Sequence, residues 1–126
     1  MSRSLQLFIE SSVDEIALIN FLNSDLKLEA ETLTFPKSTA KYFVQLQEYS
    51  QGFLCGINVS WKDSTLDVNE IEFASALATK FLTRIVFESE SAPLAGKSEW
   101  LLIDSFNKQY SVNVVECDDG LVVYDK

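Results

Sequence analysis

With 126 residues, 47% of them hydrophobic and nine of them Phe, the chain has material for one buried core and the usual size of a single domain spanning 1–126. Its 19 acidic residues against 10 basic ones give a formal charge of −9, which disfavours phosphate backbones and anionic membranes and argues against direct nucleic-acid binding. The absence of His removes the commonest general base, the usual partner of a nucleophilic Ser or Cys, and the commonest transition-metal ligand.

Leu5, Leu7 and Ile9 alternate with Gln6 and Glu10, interrupted only by Phe8, and read as a strand with one buried face. Ser12-Val13-Asp14-Glu15 then has the Ser-x-x-Glu form of a capping box, and Val13, Ile16, Ala17, Ile19 and Leu22 follow at helical spacing. Leu26, Leu28, Ala30 and Thr32 alternate with Lys27, Glu29 and Glu31. This segment is either a strand with both glutamates on one face or a continuation of the first helix.

Phe35-Pro36-Lys37-Ser38 breaks the pattern. Tyr42, Val44 and Leu46 form the next strand, Ser50-Gln51-Gly52 reverses the chain, and Phe53, Cys55, Ile57, Val59 and Trp61 give the cleanest alternation in the sequence. Gly56, on the opposite face, marks a bulge or a close approach. Asp67-Val68-Asn69-Glu70 repeats the capping logic, and the apolar stripe Ile71, Ala74, Ala78, Phe81, Ile85 predicts a second helix reaching Ile85.

Glu88 to Lys97, with Pro93 and Gly96, reads as an exposed loop. Trp100 to Ile103 is a strand, and Gln109 to Cys117 and Leu121 to Tyr124 are joined through the turn Asp118-Asp119-Gly120. The expected fold is therefore α+β in the order β-α-β-β-β-α-β-β-β. It has a mainly antiparallel sheet of about six or seven strands with two helices on one face.

No motif carries catalysis. There is no phosphate-binding Gly-rich loop, no dinucleotide fingerprint and no nucleophile elbow, and four glycines leave little room for one. Cys55 and Cys117 stand far apart with no second Cys near either, which suits two buried reduced thiols better than a metal site or a disulfide. We expect no catalytic residue, no metal site and no cofactor.

The remaining chemistry is acidic. Asp118 and Asp119 belong to a turn, and Asp14, Glu15, Asp67 and Glu70 to helix starts. That leaves Glu29, Glu31, Asp63, Glu88 and Glu90 as the candidate partner surface. Trp61 shares a face with core residues, whereas Trp100 divides evenly between core and contact roles.

In size, acidity, missing catalytic groups and mixed α and β layout, the chain resembles immunity proteins of bacterial contact-dependent growth-inhibition and related polymorphic toxin systems. The resemblance implies a cognate partner, the C-terminal toxin domain of a large secreted effector, bound in the cytoplasm. A nuclease presents Lys and Arg to phosphates, so an acidic inhibitor covering its active site gains fast association from the same field. The chain is accordingly expected to be cytoplasmic, a monomer or weak dimer. It should also be without membrane contact, because no apolar run approaches the roughly 20 residues that span a bilayer. Two rival expectations are an enzyme holding Mg²⁺ through carboxylates and an adaptor that pairs peptides to a free sheet edge.

Overall fold

A computed structural model describes residues 3–62, 69–94 and 97–125. Strand β1 (Arg3–Ile9) buries Leu5, Leu7 and Ile9 on one face, as its alternation requires. Helix α1 (Glu15–Asn20) is capped by Asp14, whose carboxylate accepts a hydrogen bond from the Ala17 amide at 3.0 Å. The Ser12 capping box is thus not used, and Glu15 instead accepts a hydrogen bond from the Thr32 hydroxyl at 3.4 Å.

The helix runs on into a single π-helical turn, Phe21–Asp25, and only then stops. Lys27 and Glu29 both have left-handed backbone, at φ 55° and 57°, so the alternation from Leu26 onward is the product of a turn and leaves a strand of only two residues, β2 (Ala30–Glu31). Asn23 stands in for a strand neighbour of Ala30. Its Oδ1 accepts from the Ala30 amide at 2.6 Å and its Nδ2 donates to the Ala30 carbonyl at 3.0 Å.

Strands β3 (Tyr42–Glu48) and β5 (Cys55–Trp61) form the expected hairpin, and its tip contributes a two-residue strand of its own, β4 (Gln51–Gly52). Helix α2 (Glu70–Phe81) is capped by Asn69, which accepts from the Glu72 amide at 3.0 Å; Asp67, the expected cap, lies outside the described residues. The helix ends at Phe81, four residues before the apolar stripe suggested, because Ile85 is drawn into the sheet beside Ile9 and Ile103.

The segment read as a loop is a hairpin. Strand β6 (Ile85–Leu94) carries Glu88 and Glu90, and β7 (Lys97–Ile103) returns beside it with Val86 opposite Leu102 and Glu88 opposite Trp100. Strands β8 (Gln109–Cys117) and β9 (Gly120–Asp125) close on the predicted Asp118-Asp119 turn.

The fold is α+β, and the described residues form nine strands in the order β2-β3-β5-β1-β6-β7-β8-β9-β4, with antiparallel pairing except at β2–β3 and β4–β9. Leu18, Leu22, Phe73 and Leu77 from the two helices share one buried cluster with Leu5, Leu7, Ile9, Ile57 and Val59, so both helices cover the same face. Each such side chain contributes about 1.5–3 kcal/mol relative to exposure.

Cys55 belongs to that core, and burial raises its thiol pKa, helped by the Glu48 charge and opposed by a hydrogen bond from the Val13 backbone. Cys117 departs from expectation in being only half-buried; both thiols are free. Among the described residues no helix is long and apolar enough to cross a membrane.

Candidate functional site: the helix-free face of the sheet

The face turned away from the helices is fixed by the same alternation that buries Leu5, Leu7 and Ile9, since it receives Ser4, Gln6 and Phe8. Register places Gln6 opposite Asn58 and Asn58 opposite Gln45, which sets three amide side chains in a row across β1, β5 and β3. One step along, Phe8 is opposite both Gly56 and Val86.

Gly56 makes room for an aromatic ring. A Cβ there would stand 2.9 Å from the Tyr49 ring, which lies over the strand. The Tyr49 and Phe8 centroids are 6.1 Å apart and those of Phe8 and Trp100 6.2 Å, so Tyr49, Phe8 and Trp100 form a row of rings crossing the middle of the sheet.

The far half of this face curls back over the near half. β4 belongs to the tip of the β3–β5 hairpin, yet it pairs with β9, with Gln51 opposite Gly120 and Gly52 opposite Leu121. The Phe53 amide donates to the Leu121 carbonyl at 2.8 Å, and Asp119 accepts hydrogen bonds from both the amide and the hydroxyl of Ser50. Phe53 is thereby moved away from Cys55 and Ile57, with which simple alternation grouped it, and into a second buried cluster with Val86, Leu102, Val112 and Leu121. The left-handed backbone of Gly52, at φ 66°, produces that change of face.

At the opposite end β1 and β6 part company. Among the described residues they pair at Phe8–Val86 and Ile9–Ile85 alone. Beyond this point a cavity of about 400 Å³ is lined by Ser4, Gln6, Phe8 and Trp100 and by three acids, Glu70, Glu88 and Glu116. None of its described lining residues is Lys or Arg. Glu88 and Glu116 are exposed, while Phe8 and Trp100 are half-buried. A second cavity of about 310 Å³ shares Gln6 and adds Gln45, Gln47, Tyr49 and Asn58, so an amide-lined half adjoins an acid and aromatic half.

Among the described residues the candidate acids are not brought together. Glu88 lies in the larger cavity, directly across from Trp100. Glu29 and Glu31 sit at the β2 edge, where Glu29 pairs with Lys41 at 3.4 Å and the Glu31 carboxylate accepts the Lys37 amide at 3.1 Å. Local cations and donors already occupy them. Asp63 and the side chain of Glu90 lie outside the described residues. Glu70, read as part of a cap with Asp67, is the first residue of α2 and lines the cavity; Asp67 lies outside the described residues.

Sequence alone does not single out Glu116, Gln6, Tyr49 or Phe8 as site residues, although two signals point there: Phe8 breaks the polar side of β1, and Gly56 faces the same way. Trp61, by contrast, is buried against Tyr42 with ring centroids 5.8 Å apart, as its alternation predicts.

Chemically, carboxylates beside exposed ring surface in a niche without described cations attract a positive group and offer it both charge and a π face. Among the described residues no three Asp, Glu or Cys side chains converge as ligands to a metal ion. No protein-family model, no curated protein and no solved structure matches this chain.

Proposed function

We propose that this protein works by binding, as an acidic inhibitor that neutralises a basic partner, of the toxin-domain class and most simply a nuclease domain, through the helix-free face of its sheet. The observation that carries the reading is the cavity beside the aromatic row, where Glu70, Glu88 and Glu116 meet Phe8 and Trp100 with no described Lys or Arg in its lining. The overall charge of −9 supports it, because complementary charge speeds encounter with a cationic surface. Of the candidate acids, Glu88 is the one that lines this cavity, which supports its part in the reading. Glu29 and Glu31 serve chiefly to hold the β2 edge.

The test begins with the full chain, tagged and expressed in its own cells, and a captured basic protein that is toxic when expressed alone. The reading expects three things of that pair: co-expression restores growth, association slows steeply with added salt, and Glu88→Lys with Glu116→Lys slows it by about tenfold or more. Absence of any such partner, association indifferent to salt, or charge reversals without effect would each overturn it.

A further inference from the structure

We infer that the cavity between β1 and β6 is a receptor for a single arginine side chain of the partner, its guanidinium lying against the Phe8 and Trp100 rings with its edge turned to Glu88 and Glu116. The inference rests on the binding reading above and names the group that is bound.

The rings come first. Phe8 and Trp100 approach to 6.2 Å with their planes 46° apart and are both only half-buried, so each keeps part of its surface open to the cavity. An exposed ring pair in an otherwise apolar setting would suit any flat group. The acids narrow the choice to a cation. Glu88 is the direct cross-strand neighbour of Trp100 and lines the cavity with it, and Glu116 lines the same cavity from β8.

Shape then separates the cations. A compact divalent ion needs several oxygens converging within about 2.0–2.6 Å, and no three such groups converge among the described residues. An ammonium is a strongly hydrated point charge that meets aromatic faces less often than a guanidinium, cannot stack on them and has no fork to match a carboxylate. The guanidinium is planar, weakly hydrated and stacks on aromatic faces while donating from its edge to carboxylate pairs. A volume of about 400 Å³ lies toward the lower end of the roughly 300–1,000 Å³ typical of ligand cavities, which fits one side chain better than a folded element. Gln6, shared with the neighbouring cavity, and the amides of Gln45 and Asn58 beyond it offer donors and acceptors to the main chain on either side of that arginine.

The experiment uses the intact protein and three blocked pentapeptides of the form Gly-Gly-X-Gly-Gly, with X as arginine, lysine or the neutral isostere citrulline, titrated while the two indole N–H resonances are followed by NMR. The expected result is a saturable shift of the Trp100 resonance with the arginine peptide and none at the buried Trp61. The lysine peptide should bind at least about fivefold more weakly, and the citrulline peptide should not saturate. The combined Glu88→Gln and Glu116→Gln variant, both at exposed positions, should weaken arginine binding by about tenfold or more with unchanged circular dichroism.

Equal binding of lysine or citrulline, or an arginine peptide that leaves Trp100 unmoved, overturns the assignment. If Trp100 stays unmoved while partner association still falls with salt and with Glu88→Lys, the binding reading stands and the arginine receptor falls. If the arginine peptide binds as described but no toxic basic partner is protected against, the receptor stands and the inhibitor reading falls.

Discussion

Tyr49 lies across Gly56 so closely that a methyl group at position 56 would come within 2.9 Å of its ring. The contact seats Tyr49 beside Phe8 and so sets one end of the aromatic row. Gly56→Ala should cost about 1–3 kcal/mol by overpacking, since the ring must swing away from a strand that cannot yield. In a Tyr49→Ala background the same substitution should cost almost nothing. Urea unfolding of the four proteins in a double-mutant cycle measures the difference, and a coupling near zero would mean that the ring does not depend on the glycine.

Gly52 makes the clasp between β4 and β9. A Cβ there would stand 2.1 Å from the Leu121 carbonyl oxygen, a backbone atom, and its φ of 66° is one that side-chain-bearing residues rarely adopt. Gly52→Ala should therefore cost about 2–4 kcal/mol and loosen the curl that buries Phe53. Ser50→Ala removes only an exposed hydrogen bond to Asp119 and should cost under about 1 kcal/mol. Denaturant unfolding orders the two. Hydrogen exchange at the Phe53 amide, which bonds to Leu121, should rise in the glycine variant alone.

Leu82 ends helix α2 in the left-handed conformation, at φ 50°, with 79% of its surface exposed. Glycine is the usual residue at such a helix end, and this Leu gives up little buried surface when replaced. Leu82→Gly is expected to stabilise the protein by about 0.5–1 kcal/mol, visible as a rise in thermal midpoint. A loss of stability would show that the Leu82 side chain makes a contact worth more than the backbone strain.

How far the sequence could be read follows from which elements were local. The β1 alternation, the β3–β5 hairpin and the Asp118-Asp119 turn are set by neighbouring residues, and all three form where expected. The helical spacing of Ile85 is genuine, and the pairing of β6 with β1 and β7 overrides it. Glu88 and Glu90 read as a loop because a strand segment rich in Ser and Glu has no apolar period to announce it. The cavity was legible only in fragments. Phe8 and Gly56 each broke a pattern, but that they face one another is a fact of register, and Glu116 reaches the site through a sheet curl that no local signal encodes.

Asp104 holds the turn between β7 and β8. Its Oδ1 accepts from the Phe106 amide at 2.9 Å and the Lys108 amide at 3.0 Å, and Oδ2 from the Tyr110 hydroxyl at 3.3 Å. The hydrogen bond from the Lys108 backbone, joined by those of Phe106 and Tyr110 and by the Lys108 charge, keeps the carboxyl below its ordinary pKa. A carboxyl whose folded pKa is lowered stabilises the fold fully above its unfolded value, near 3.9, and loses that contribution as pH falls through the folded value. Asp104→Asn keeps an oxygen for the two amides but loses the charge. Its thermal midpoint should lie below that of the parent at about pH 6 and converge with it as the pH approaches about 2. Asp104→Ala removes the acceptor as well and should remain the less stable protein at both ends of that range. A constant gap between parent and Asn variant across the titration would show that the charge contributes nothing and that the turn is held by oxygen geometry alone.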